Sequence, residues 1–282
     1  MTYFPMFHYF KFFRIHNVFL GSLAACVAYY IINGQNVYLL LHCIMTIALA
    51  MMFGNALNDI IDFKSDKISH PHRMLPMGYI NINTAKQITS FIFISLIIIS
   101  FQLPIQASLL VYCFIVPLLI LYNYYFKGVP LIGNIIISII LSLTFLFIEL
   151  VFFNRFDITI VPASLIFGLS IIREILKDIH DYEGDRAYNV YTFPVRFGHS
   201  YSIKVVIYMI LCFCLLAPIP YYVNYYSNNY LISLIILVEI PMIILVSLLL
   251  RNPDKIMISR IVSTMKIINL FGLFVILIAN KY

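Results

Sequence analysis

Charge is scarce in this chain: only 11% of its 282 residues are Asp, Glu, Lys or Arg, against 62% hydrophobic residues and a mean hydropathy of +0.96. So little polar surface cannot coat a water-soluble globule of this size, which excludes one and points to a membrane protein. Cysteine is sparse too. Cys26, Cys43, Cys113, Cys212 and Cys214 all fall inside apolar runs, without the loop spacing of a zinc site or a disulfide framework. They read as small apolar packing residues. No Gly/Ser linker, low-complexity tract or soluble insertion interrupts the sequence, so residues 1–282 read as one integral membrane domain. The opening "MTYFPMFHYFKFFRIHN" lacks a short apolar core followed by a small-residue cleavage site, and no removable signal peptide is expected.

What the chain has is apolar runs of about 20 residues, the length that crosses a hydrocarbon core of roughly 30 Å. They predict nine transmembrane helices near 13–33, 38–58, 84–102, 106–125, 131–152, 158–177, 202–223, 231–250 and 262–280. The runs are continuous, whereas the strands of a membrane barrel would alternate over about ten residues. The expected fold is an all-α, multi-pass bundle in the cell membrane. With the N-terminus on the cytoplasmic side, every one of the 18 Lys and Arg except Arg155 and Lys281 falls in or beside a cytoplasmic connection. That asymmetry follows the positive-inside rule and sets the orientation.

Acid is rarer still, and it is clustered. Of twelve Asp and Glu, eight lie in two places: Asp59, Asp62 and Asp66, then Glu174, Asp178, Asp181, Glu183 and Asp185. The stretch "NDIIDFKSD" at 58–66 is repeated as "KDIHDYEGD" at 177–185, with the three Asp at the same spacing. Each copy ends a predicted span and enters a cytoplasmic loop, after the second and the sixth helix, so the two can face each other from one side. An internal parallel repeat is a plausible origin.

On a helix, offsets of 0, 3 and 7 return to one face. Each Asp triplet meets this, although Gly184 is expected to loosen the last turn of the second. Stacked carboxylates beside hydrocarbon are costly and call for a cation. Carboxylate and amide oxygens, with no Cys or His pair at ligand spacing, suit Mg²⁺, which binds through a few carboxylates together with substrate phosphates. The expected metal set is Asn58, Asp59, Asp62, Asp66, Asp178, Asp181 and Asp185. Arg73, Lys127, Arg173, Lys177 and Arg186 lie on the same side and can neutralise phosphate.

Blander readings compete. A single Asp at a helix end is usually a solvated cap, and it is the repetition that argues against this here. Lys64, Lys67, Arg196, Lys255 and Arg260 read as orienting charges that meet anionic headgroups. His42 reads as a helix-contact residue. No spacing makes His70, His72 and His180 a metal set, though His180 can bond phosphate. Of Tyr122, Tyr124 and Tyr125, some can line a cavity and stabilise a cation.

These residues resemble the UbiA superfamily of intramembrane prenyltransferases. Its first motif, N-D-x-x-D-x-x-x-D, is matched by Asn58, Asp59, Asp62 and Asp66, and its R-x-x-P-x-G sequel by Arg73, Pro76 and Gly78. "REILKDIHDYEGDRAYNVYTFPVRFG" matches the second motif, and smaller echoes are "FRIHN", with Arg14 and Asn17, and "YNYYFKGVPLIGN", with Tyr122, Lys127 and Asn134. The resemblance implies a helical bundle around a central cavity, with Mg²⁺ and an isoprenyl diphosphate near the acidic motifs. Asn58, Asp62, Asp66, Asp178, Asp181 and Asp185 would hold the metal-diphosphate, and Arg73, Lys127 and Lys177 would contact phosphate. Arg14, Asn17, Tyr122, Asn134, Arg173 and Arg186 complete the expected substrate-binding set.

The wording of the second motif is closest to the ether-lipid branch, in which a geranylgeranyl group moves to the sn-2 hydroxyl of geranylgeranylglyceryl phosphate. Met77 stands where the family often has Ser, and His180 where that branch has an acid. The expected partners are an isoprenyl diphosphate donor, a lipophilic acceptor and membrane lipid, with no nucleic acid. Three alternatives stay open. The acceptor can be an aromatic quinone precursor or a chlorophyllide-like molecule, the chain can be a membrane terpene cyclase, or paired acids can mark a cation transporter.

Overall fold

The computed structural model describes residues 6–251 and 253–279. Lys281 and the end of the ninth expected span lie outside them. Helices α1 (Met6–Phe12), α2 (Ile15–Ile31) and α3 (Val37–Ile61) open the chain, followed by the single turn α4 (Asp66–Ser69), then α5 (Ile82–Ser100) and α6 (Ile105–Phe126). Next come α7 (Ile132–Phe153), α8 (Ile160–Ala187), the short α9 (Phe193–Phe197), α10 (His199–Tyr222), α11 (Asn228–Leu249) and α12 (Lys255–Ile278). The described residues form no strand.

Seven of these helices, α3, α5, α6, α7, α10, α11 and α12, are long and apolar enough to cross a membrane. Helix α2 is apolar but shorter, and α8 is long but carries Arg173, Glu174 and Lys177. Counting those two recovers the expected nine. Large side chains such as Phe91, Leu215 and Tyr222, each at least 70% exposed, stud the outer faces. A bundle apolar inside and out has lipid as its solvent.

Local chemistry sets the ends and irregularities of the helices. Asn36 and Asp254 cap α3 and α12 by accepting from the backbone N–H of Leu39 at 3.0 Å and Met257 at 2.8 Å. Pro117 and Pro241 lack the N–H that an α-helical turn would use, and a π-helical turn precedes each, at Val111–Ile115 and Ile235–Glu239. At the end of the bundle away from the acidic motifs, the fully buried Glu149 accepts from Asp157, Ile158 and Thr159 N–H at 3.0–3.1 Å. It satisfies donors at the start of α8, and Arg155 lies 3.5 Å from it.

Helix α8 is the hub, packing on α7, α12, α10 and α4. A smaller apolar cluster of Phe12, Phe13, Phe53, Leu57, Met74, Leu75 and Ile80 roots the 70–80 loop against α1, α3 and α5. Gly78 closes that loop with φ +75°, a backbone conformation that suits glycine.

Several expectations are corrected. Gly184 does not loosen α8, which continues to Ala187; the missing side chain instead lets α4 approach, since a Cβ there would overlap the Ser69 hydroxyl. Of the five cysteines only Cys43 is buried; Cys26, Cys113 and Cys212 are exposed on outer faces, and all five are free. His42 does make an inter-element contact: one ring nitrogen meets Oε1 of Gln102, in the turn after α5, at 2.9 Å.

Candidate diphosphate site

The two acidic motifs meet at one end of the bundle. The first spans a helix end: Asn58 and Asp59 lie in the last turn of α3, Asp62 caps it, and Asp66 begins α4. The second stays on one continuous helix, α8, beyond its apolar stretch. Asp62, Asp66, Asp178, Asp181 and Asp185 line a small polar recess of about 20 Å³, with Asn58, Arg73, Tyr122, Lys127 and Lys177.

The first motif is neutralised from within the protein. Arg14, held in a left-handed conformation between α1 and α2, forms an ion pair with Asp59 and reaches Asn58 Oδ1 at 3.4 Å. Arg73 Nη1 donates to both oxygens of Asp66 at 2.6 Å and lies 3.4 Å from Asp59. The buried neighbours Met74 and Leu75 anchor the loop that aims it. Lys127 pairs with Asp62. The lysine follows a further π-helical turn of α6, Tyr122–Phe126, whose i+5 bond from Lys127 N to Tyr122 O is 2.8 Å. Burial opposes the Lys127 charge, but Asp62, together with Asp185 and Asp66, outweighs it and the pKa is raised. For Asp66 burial wins over Arg73, and the carboxyl is pushed up.

The second motif meets donors other than Lys and Arg. Asn134 Nδ2, from the first turn of α7, donates to Asp178 at 2.8 Å, and Thr192 Oγ1 to Asp185 at 3.1 Å. Asp181 Oδ1 receives His180 Nδ1 at 2.7 Å, while His70 Nε2 lies 2.9 Å away without the alignment of a hydrogen bond. Among the described residues no Lys or Arg forms an ion pair with these three Asp. Burial pushes Asp185 up to about 6, offset only in part by Lys127.

Below the recess opens a cavity of about 590 Å³. Its upper wall carries Arg14, Asn17, Asp59, His72, Arg173 and Lys177, and its deeper wall Leu20, Ile47, Met51, Ile115, Ile140 and Phe147. From Asp59 to Thr46 along α3 the cavity runs about 20 Å at 1.5 Å per residue.

Most of the residues expected from sequence are brought together, with exceptions. Asp59 faces the larger cavity and its arginines, away from the small recess. Asn134 lines neither space and acts through Asp178. Arg186 is exposed and bonds Tyr182 at 3.2 Å. Tyr124 and Tyr125 point outward, at 61% and 69% exposure, and only Tyr122 of the three lines the site. Two features escape local reading. Asn123 accepts from Asn58 at 3.2 Å, and His70, His180 and Asp181 gather within 4.8 Å of one another, across 110 residues.

The residues fit Mg²⁺. Five carboxylates converge on a recess with room for a water-sized occupant. Three of them have no internal Lys or Arg partner, and their donors are hard oxygens. Asp62, Asp66, Asp178, Asp181 and Asp185 line the recess and could hold such an ion.

Comparison with known proteins identifies the family. The UbiA prenyltransferase family matches residues 18–270. The chain is 30% identical over 253 residues to digeranylgeranylglyceryl phosphate synthase of Methanobrevibacter smithii, covering 88% of each chain. To the synthase of the same name from Saccharolobus solfataricus it is 31% identical, covering 84% of each. Among solved structures, one of digeranylgeranylglyceryl phosphate synthase superposes with a TM-score of 0.71 at 27% identity, over 98% of both chains. A UbiA homolog from Archaeoglobus fulgidus bound to GPP and Mg²⁺ shares the fold with a TM-score of 0.69 at 16% identity, covering 95% of this chain and 99% of that one. With the two acidic motifs joined at one recess above a long apolar cavity, the chain belongs to the UbiA prenyltransferase family.

Proposed function

We propose that the chain transfers a geranylgeranyl group from its diphosphate to the sn-2 hydroxyl of geranylgeranylglyceryl phosphate, a step of ether-lipid synthesis. The observation that carries this is the continuity of a carboxylate-lined recess with an apolar cavity about 20 Å deep. A charged head and a long isoprenyl tail match the two parts. The acceptor follows the name of the relatives, and the structures of UbiA homologs with Mg²⁺ and prenyl diphosphates support the metal and the donor.

In this reading Asp62, Asp66, Asp178, Asp181 and Asp185 hold Mg²⁺, with Asn58 beside them. Arg73, Lys127 and Lys177 hold phosphate oxygens and fix the angle at which the tail descends. Bound Mg²⁺ supplies charge neutralisation to the departing diphosphate. The C1–O bond breaks with its electron pair on the diphosphate, and the acceptor oxygen bonds C1 as its hydroxyl proton passes to the released diphosphate. The apolar walls around Met51, Ile115 and Phe147 keep water from C1, so that hydrolysis does not compete. The distribution of Lys and Arg supports a recess on the cytoplasmic side.

The test is purified chain in lipid nanodiscs with labelled geranylgeranyl diphosphate, Mg²⁺ and geranylgeranylglyceryl phosphate, with products read by mass spectrometry. A doubly prenylated glyceryl phosphate is expected. A hydrocarbon released without acceptor, or product only with an aromatic acceptor, refutes the assignment.

A further inference from the structure

The cavity has a second polar region that the diphosphate recess leaves unused. Where α2, α8 and α12 meet, its wall carries His16, Arg173, Lys266 and Asn269. Lys266 Nζ lies 3.3 Å from His16 Nε2 and forms no ion pair with a carboxylate among the described residues. The acid on these walls, Glu174, is already engaged by Arg173 Nη1 at 2.8 Å and Lys177 Nζ at 3.2 Å. Arg173 Nε and Asn269 Oδ1 are buried without a hydrogen-bond partner. Unsatisfied polar atoms beside an unpaired ammonium are costly in an apolar bundle unless a ligand completes them.

The depth of this cluster separates it from the metal. Lys255, at the start of α12, meets Glu183 at 2.7 Å, and Lys266 lies about 16 Å further along its helix. On α8, Arg173 lies about 15 Å below Glu183 and about 12 Å below Asp181. The two cations are therefore close in level, about two to three turns below Asp181 along their helices, with Glu174 joining Arg173 to Lys177 between the cluster and the recess. The cluster also has a way in: Ser259 and Ser263 on α12 and His16 on α2 line the cavity while being exposed. The seam between α2 and α12 is thus a polar mouth.

We infer that Lys266, with His16, Arg173 and Asn269, seats the phosphomonoester of a lipid acceptor entering between α2 and α12. This rests on the proposed function and names the part of the site that selects the acceptor. A phosphomonoester near neutral pH carries between one and two negative charges and three acceptor oxygens. The Lys266 ammonium, the Arg173 Nε–H and the Asn269 Nδ2 amide can donate to those oxygens, and Asn269 Oδ1 can accept from the hydroxyl of the singly charged form. Seated about two to three turns below the metal, the phosphate holds its adjoining glycerol hydroxyl on the path of the donor chain. An acceptor without phosphate leaves Lys266 unpaired.

The experiment compares the full chain with Lys266→Gln and Lys266→Arg in nanodiscs, measuring KM separately for geranylgeranyl diphosphate and geranylgeranylglyceryl phosphate. The phosphate-free alcohol of the acceptor serves as a third substrate. Lys266→Gln is expected to raise the KM of the phosphorylated acceptor about tenfold, with Lys266→Arg recovering most of the loss. The donor KM is expected to stay in place, which also reports that the variant is folded. Use of the alcohol is expected to be equal in both. An equal rise in donor KM would assign the cluster to the diphosphate, and an unchanged acceptor KM would reduce Lys266 to packing; either overturns the inference while the proposed function stands. No transfer to the phosphorylated acceptor by the unsubstituted chain overturns both.

Discussion

The two acidic motifs share a spacing and differ in what neutralises them. The first is paired internally: Arg14 on Asp59, Lys127 on Asp62 and Arg73 on Asp66. Asn134, Thr192 and two histidines serve the second, and none of them brings the fixed charge of a Lys or Arg. One motif is therefore electrostatically nearly complete before any ligand binds, and the other is in deficit. The physical lesson is that a repeated motif need not be a repeated site. In the proposed reading, the second motif is where a divalent ion would gain most, and the first would gain if phosphate drew Arg73 and Lys127 from their acids.

The largest break in that comparison comes from neutralising one acid on each side. Asp62→Asn and Asp181→Asn are each expected to lower transfer by about 10²–10³-fold, measured as initial rates with labelled donor. Near-normal rates in both would remove the metal-diphosphate assignment. A sharper version omits the donor. Metal titration, with Mn²⁺ as a spectroscopic probe, should show ion binding abolished by Asp185→Asn and largely retained in Asp62→Asn, because Lys127 already neutralises Asp62. The reverse order would mean that the internal cations do not discriminate between the motifs.

Next in size is Asn134→Leu, which strips Asp178 of its donor while leaving the carboxylate. A loss of about 10–100-fold in metal affinity or turnover is expected, and Asn134→Asp should fare no better because it adds negative charge. Asp59→Asn tests the closed side. It leaves the half-buried Arg14 without its charge partner, which costs about 1–3 kcal/mol and should appear as a lower unfolding temperature in detergent, whatever happens to metal binding.

The smallest effect concerns how the two motifs are brought together. Gly184→Ala places a methyl group against Ser69 and is expected to destabilise by about 1–3 kcal/mol. A second change, Ser69→Gly, should return much of that loss in a double-mutant cycle. Additive losses would show that α4 and α8 do not meet through this contact.

Much of the fold was legible because its causes are local. Continuous apolar runs about one bilayer long can satisfy their backbone only as helices, so the expected spans correspond to the long helices, with ends shifted by capping at residues such as Asn36 and Asp254. The five recess carboxylates were legible for a similar reason, since acid in so apolar a chain has few uses. Arg186 misled because proximity to a motif in sequence places a residue on the helix without choosing its face; it projects outward beside Tyr182. His70 and His180 escaped because no spacing rule spans the 110 residues between them.

The sequence by itself determined the class of the molecule, the helices and the inventory of charge, all consequences of composition and short-range periodicity. Only the tertiary structure decided how that charge is distributed. Whether an Asp faces an arginine, an asparagine or a histidine depends on which helices pack side by side, and packing joins residues such as Lys127 and Asp62, or Lys266 and His16, that no local pattern relates. In an apolar bundle each ionic group must find a partner across space, so the fold, by choosing those partners, also chose which acids and which cations were left for a ligand.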